Sequence, residues 1–431
     1  MKRLLWLVLA APLLVAAPVE AVSAPPTCQG RPATIVGHDG GDLVGTEGDD
    51  VIVTGPASSV RALGGDDVVC AVDADFLLDI DAGPGDDVVD TTAATDTTEL
   101  LHAELGTGAD RFLGGSANDQ VSAGDAPGDS ARDVIETGRG RDSVESGVDG
   151  LPNDDAVDLG AGPGTVFFHG TPGGAAHLRS RGSGYLSFSF GGPAGTLRVD
   201  NGLERAELDG TPLVTWAGFS SFSTESSDVE QVILRGSDRA ERFRGSYVDA
   251  LELDVRAGGG SDTVEVNSRA VGSVDGGRGR DLLSVSEAEP ASVGSPGSDL
   301  TADLGSGLVR IDPHGADSHL LSVDAIEDLS VVGFRHTTLR GDRAANLLDV
   351  RSGCQVTLVG RAGADLLQGW STSCPDGDLP VSTMRGGRGP DRLLGHAADD
   401  LMIGGPGRDV ANGRTGTDTC RTEVRRSCEL R

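Results

Sequence analysis

The chain has 431 residues, 65 of them glycine and only 3% aromatic, and its 67 acidic and 35 basic residues give a formal net charge of −32. So negative a charge excludes a basic nucleic-acid interface, and so few aromatics exclude a bulky globular core throughout. Acidic, aromatic-poor chains are often disordered, but here the carboxylates stand at fixed offsets beside glycines, an order that a solvated tail does not need.

Residues 1–24 read as a secretory signal peptide. Lys2 and Arg3 precede an apolar run from Leu4 to Ala17, too short for a good transmembrane helix, and Ala21 and Ala24 each close a small-residue cleavage site. No later stretch is apolar for long enough to cross a membrane, so the expectation is an exported chain with no transmembrane segment once mature. Six cysteines in such a chain favour disulfides. Nearness in sequence pairs Cys28 with Cys70, Cys354 with Cys374 and Cys420 with Cys428, one of about 15 possible connectivities.

Residues 25–164 form a degenerate repeat block. GTEGDDVIV starts at Gly45, ALGGDDVVC at Ala62, AGPGDDVVD at Ala82, LGTGADRFL at Leu105, GGSANDQVS at Gly114 and TGRGRDSVE at Thr137. The sixth position of these units holds Asp50, Asp67, Asp87, Asp110, Asp119 and Asp142. Uneven gaps between them predict stacked coils interrupted by loops of varied length. A fragment such as Thr98–Glu104 has room for a turn or two of helix, no more.

Over 165–235 the Gly-Asp turns vanish and aromatics collect: Phe167, Phe168, Tyr185, Phe188, Phe190, Trp216, Phe219 and Phe222. Leu186–Phe190 alternates apolar with polar, the period of a half-buried strand. This stretch is predicted as β-rich, either a wider coil or a small inserted sandwich, its aromatics forming an apolar core or a carbohydrate platform. Residues 236–385 contain interspersed repeat modules. Asp238-Arg239-Ala240 echoes Asp342-Arg343-Ala344, and further units place Asp262, Asp281 and Asp365 at position six; two copies of one larger module cover about 200–385. Residues 386–431 are the C-terminal tandem repeats and cap.

Within that last segment GGRGPDRLL, GHAADDLMI, GGPGRDVAN and GRTGTDTCR run in one register from Gly386 to Arg421, with Asp391, Asp400, Asp409 and Asp418 at position six and an apolar residue or Cys at position eight. The pattern G-G-x-G-x-D-x-U-x resembles the RTX, or haemolysin-type, calcium-binding nonapeptide repeat family. The resemblance implies an all-β fold, a parallel β-roll or right-handed β-solenoid in which six residues turn, three make a strand and two repeats complete a coil. It implies Ca2+ as cofactor, set between the turn of Asp391 and that of Asp409, with Asp400 and Asp418 paired on the opposite edge. Gly386, Gly387, Gly389, Gly404, Gly405 and Gly407 belong to these turns. Gly395-His396-Ala397-Ala398 and Arg414 depart from the pattern and weaken the second pair. The residues carry the same logic unaided. Glycine gives backbone angles that aim carbonyls inward, the sixth Asp adds a carboxylate, and a hard cation with six or more oxygen ligands suits the result.

Relatives of this kind keep their enzymatic activity in separate domains, and no catalytic constellation is present here. H-E-x-x-H, G-x-S-x-G and G-x-x-x-x-G-K-[ST] do not occur in the sequence. Asp49-Asp50 and Asp399-Asp400 are repeated turn residues, whereas glycosidase carboxyls must face each other across a cleft. His314 and His319 are predicted to decorate a loop. The reading is a secreted calcium-binding repeat protein with a structural or surface role and no activity of its own. Its alternative is a polysaccharide-binding module, or a polysaccharide-active β-helix enzyme, centred on 165–235 and reaching a cell-surface or polysaccharide partner through residues such as Trp216.

Overall fold

The computed structural model describes residues 25–38, 40–72, 77–94, 100–124, 130–190, 194–224, 229–245, 252–288, 297–313, 316–371, 374 and 380–430. The predicted signal peptide and His314 lie outside them. Short strands dominate and no helix is present among these residues; the chain winds as a parallel β-solenoid of about 16 turns. Of the fragment expected to have room for helix, the described part, Leu100–Glu104, is instead a strand, paired in register with Leu77–Asp81 and Asp119–Ala123. Its burial alternates with period two, so neighbouring strands decide its conformation.

Two hydrogen-bonded ladders make the walls. The first begins with Ile35–Val36, Val51–Val53, Val68–Cys70 and Val88–Asp90 and ends with Asp399–Ile403 and Thr419–Arg421. The second begins with Asp42–Val44, Ser59–Arg61 and Leu77–Asp81 and ends with Arg392–Leu394, Val410–Asn412 and Val424–Arg426. Side chains alternate across each strand, so most strands send an apolar residue between the walls. Ile52, Phe112, Leu393, Met402, Ala411 and Cys420 are all fully buried there. Each such aliphatic or aromatic side chain contributes about 1.5–3 kcal/mol, and each coil has only a few.

The aromatic stretch is the wider coil, continuous with both ladders. Gly164–His169 pairs with the Gly184–Ser189 part of one strand, which pairs in turn with Phe219–Thr224. Phe168, Phe188, Trp216, Phe222 and Phe243 pile up inside, with successive ring centroids 5.3–6.3 Å apart. Trp216 is 2% exposed and its indole N–H donates to Asn201 Oδ1 at 2.9 Å. It is core and offers no face to a sugar, which removes one residue of the carbohydrate platform considered for 165–235.

Besides the terminal hairpin of Thr27–Cys28 with Arg31–Pro32, two strands within the ladders run against the grain. Arg205–Leu208 is antiparallel to both of its neighbours, and so is Leu308–Asp312. They fall in the two copies of the larger repeat module and leave the first ladder unbroken across each. His319 opens a strand, with Nδ1 2.8 Å from the Ser268 carbonyl oxygen, and so does not decorate a loop. All three disulfides join the cysteines that nearness paired.

Candidate metal centre

Every predicted acid lies at the entry to a strand, on one of two columns. Asp50, Asp67, Asp87 and Asp110 stack along the first ladder. Each backbone N–H donates to Oδ1 of the next acid, at 2.6 Å from Asp50 to Asp67, 2.7 Å from Asp67 to Asp87 and 2.8 Å from Asp87 to Asp110. The column continues through Asp133 and Asp155. Farther along the same ladder, Asp400 N–H donates to Asp418 Oδ1 at 2.9 Å.

Asp119, Asp142, Asp262, Asp281, Asp365, Asp391 and Asp409 belong to the second ladder. Asp119 joins Asp142 at 3.1 Å and Asp262 joins Asp281 at 2.8 Å; Asp365 joins Asp391, and Asp391 joins Asp409, both at 2.9 Å. The expected partners, Asp391 with Asp409 and Asp400 with Asp418, are thus brought together on opposite edges. Where a second acid stands just before an inward one, as at Asp49 and Asp399, it faces outward and bonds with the opposite polarity. Asp49 Oδ1 accepts from Asp66 N–H and Asp399 Oδ1 from Thr417 N–H.

In most of the inward carboxylates one oxygen is therefore structural, while Asp142 also accepts from Thr137 Oγ1 through its other oxygen. Elsewhere the second oxygen is the chemically informative one. Oδ2 of Asp67, Asp87, Asp262, Asp281, Asp365, Asp391, Asp409 and Asp418 is buried with no hydrogen-bond partner, and Asp119 has both oxygens so placed. Burial pushes Asp67, Asp142 and Asp391 up to about 6, Asp262 and Asp400 to about 7, and Asp87 and Asp119 to about 8. Asp281, Asp365, Asp409 and Asp418 are raised too, by burial first, with nearby acids adding to it. An unpaired buried charge is expensive, and a bound cation would remove the penalty.

Glycines shape the space beside these oxygens. A Cβ on Gly386 would stand 2.3 Å from Asp391 Oδ2 and 2.7 Å from the Gly404 carbonyl oxygen, and one on Gly404 would stand 2.3 Å from Asp409 Oδ2. On the other edge a Cβ on Gly395 would meet Asp400 Oδ2 at 2.0 Å and the Gly413 carbonyl at 2.9 Å. Carboxylate and carbonyl oxygens thus converge where only hydrogen fits. Gly387, Gly389 and Gly405 have φ of +116°, +123° and +105°, whereas Gly407 is required by closeness alone, its Cβ position lying 1.9 Å from the Gly389 carbonyl. Among the described residues no three His, Cys, Asp or Glu side chains gather around one point. A cation in these turns would draw mainly on backbone carbonyls, a donor set that calcium tolerates and octahedral magnesium does not.

Some positions depart from this scheme. Asp50 Oδ1 accepts from Thr34 Oγ1 at 3.0 Å, and Oδ2 from Thr46 N–H and Oγ1 at 2.7 and 2.9 Å. Burial raises this carboxyl, but those bonds outweigh it and hold Asp50 below the usual range, so it heads its column as a saturated acceptor. His396 keeps its backbone role, donating its N–H to Asp400 Oδ2 at 3.0 Å, while its ring stacks on Trp370 at 4.8 Å and Arg414 approaches the same indole at 5.5 Å. The substitutions that break the motif build a surface stack.

Sequence reasoning missed Asp133 and Asp155, whose turns lack the glycine signature, and Glu241, Glu327, Asn346, Glu423 and Glu429, which occupy column positions in place of Asp. A usable signal is an acid followed by a strand-forming pair, as in Asp133-Val134-Ile135 and Asp155-Ala156-Val157.

The family model for the RTX calcium-binding nonapeptide repeat matches residues 104–126 and 383–420, with four copies. No curated protein sequence matches the chain. The two matched stretches contain Asp110 with Asp119 and the whole C-terminal tandem set, where the acid columns and glycine turns are most regular. The chain is a parallel β-solenoid that carries RTX calcium-binding nonapeptide repeats.

Proposed function

We propose that this is an exported calcium-binding protein without catalytic activity, whose Gly-Asp turns hold calcium between successive coils and whose folding depends on it. The observation that carries this reading is the row of buried, unpartnered carboxylate oxygens beside the glycine turns, Oδ2 in most of these acids and Oδ1 in Asp400. Asp391 with Asp409, and Asp400 with Asp418, are the leading pairs; Asp67, Asp87, Asp119, Asp262, Asp281 and Asp365 extend them. Bound calcium would neutralise these carboxylates. Without it, stacked acids repel while the thin core must offset a chain entropy of about 1–2 kcal/mol per residue.

Three disulfides suit an oxidising compartment and support export. The inward acids sit one above another inside turns, an arrangement that serves a structural role better than catalysis across a cleft. Calcium titration followed by circular dichroism, with native mass spectrometry to count ions, tests the proposal. Binding of several ions with a gain in β-sheet signal and melting temperature is expected. Chelated protein that keeps its full signal and melting temperature refutes the coupling.

A further inference from the structure

Both acid columns finish on a glutamate, and each glutamate comes from a rung shorter than the coil before it. Glu423 follows Asp409 by 14 residues and Glu429 follows Asp418 by 11, against 18 between Asp391 and Asp409 and between Asp400 and Asp418. Even so, Asp409 N–H donates to Glu423 Oε2 at 2.8 Å and Asp418 N–H to Glu429 Oε2 at 3.0 Å, the bond that elsewhere joins two aspartates. One more methylene lets a shortened segment reach the column. The same device spans an internal interruption, where Asp281 N–H donates to Glu327 Oε2 at 2.9 Å across 46 residues.

Two of the acids that open a run, Asp50 and Glu241, differ from this, although Asp119, which opens another, keeps both oxygens without a partner. The carboxylate of Asp50 is saturated by Thr34 and Thr46, and that of Glu241 accepts from Asn201 Nδ2, Ser237 N–H and Ser237 Oγ. At the far ends, by contrast, Asp409 and Asp418 are fully buried, and each keeps an Oδ2 without a partner. On these two turns the stacking residues belong to the segment 422–430, which is not a nonapeptide of the motif. What stacks is the tail. Leu430 N–H donates to the Asp418 carbonyl, Cys420 N–H donates to the Leu430 carbonyl, and the Cys420–Cys428 disulfide fixes the residue next to Glu429.

We infer that Glu423 and Glu429 are metal-ligating acids that complete the last turn of each column, and that the Cys420–Cys428 disulfide positions Glu429 for this. The inference rests on the calcium reading above and assigns the carboxylates that replace a missing coil. The test counts calcium ions by native mass spectrometry and measures affinity by titration with calcium chloride. The proteins are the wild-type full chain, Glu423→Gln, Glu429→Gln, Glu429→Asp, Cys428→Ser and, as an interior reference, Asp391→Asn. Glutamine still accepts the backbone N–H, so a purely structural role survives it. Each Gln variant is expected to bind one ion fewer, or to bind it at least tenfold more weakly. Glu429→Asp, too short to reach, and Cys428→Ser should repeat the Glu429→Gln defect. Wild-type count and affinity in both Gln variants, alongside loss in Asp391→Asn, overturns the assignment and leaves the calcium reading standing. A wild-type chain that binds no calcium overturns both.

Discussion

Asp391→Asn separates a metal ligand from a turn-forming acid. Asp391 stands in the middle of the most regular acid run; its Oδ1 accepts from Asp365, its N–H donates to Asp409, and its Oδ2 lies beside Gly386 and the Gly404 carbonyl. Asparagine has nearly the same shape and keeps an oxygen for the Asp365 N–H, so packing is preserved and the charge alone is lost. A site saturated at a hundredfold excess of calcium contributes about 2.7 kcal/mol. An ion held between two rungs couples Asp391 to both neighbours, so loss of one or two sites removes about 3–5 kcal/mol. With chelator at pH 8 the sign reverses. Burial has pushed the Asp391 carboxyl up to about 6, so the fold disfavours its ionised form, and a neutral amide should slightly stabilise the metal-free protein. Urea unfolding at pH 8, followed by circular dichroism with calcium and with chelator, reads both quantities. An equal loss in the two conditions would refute metal ligation by this residue.

The same shifts set the pH dependence of the metal-free chain. Carboxyls raised to between about 6 and 8 in the fold hold protons that the unfolded chain has already released above pH ~4. Stability should therefore fall as pH rises from ~4 through 8, and calcium should reverse the trend at the upper end; melts in chelator that improve steadily over that range would contradict it. Trp216→Ala should cost about 3–5 kcal/mol, because it empties the centre of the aromatic pile and strands Asn201 Oδ1. The loss should be the same with and without calcium. A variant that keeps its unfolding midpoint but loses glycan binding would show instead that this ring serves a surface.

The C-terminal columns were legible because four repeats of equal length leave only one way to stack, and that register alone pairs Asp391 with Asp409 and Asp400 with Asp418. The regular glycine turns made the early acids visible too. Asp133 and Asp155 escaped because their turns are made by other residues, and Glu241, Glu327, Glu423 and Glu429 because a longer acid breaks the pattern while meeting the same backbone donor. Strand direction was hidden for a similar reason. Arg205–Leu208 and Leu308–Asp312 alternate like their parallel neighbours, and alternation records burial without recording polarity. The saturated carboxylate of Asp50 depends on Thr34, a full coil away, so its motif could not distinguish it from Asp67.

Those two reversed strands have a kinetic consequence. Pairing across a coil joins residues about twenty positions apart, and closing such loops is what makes parallel folds slow. Leu208 with Thr211, and Asp303 with Leu308, are partners only three and five positions apart. Each hairpin is thus a local nucleus inside a mainly long-range architecture, and in a chain where every unit touches only its neighbours, order can zip outward from it in both directions. Amide protection in pulsed hydrogen exchange should arise first around these two hairpins and reach the C-terminal coils last.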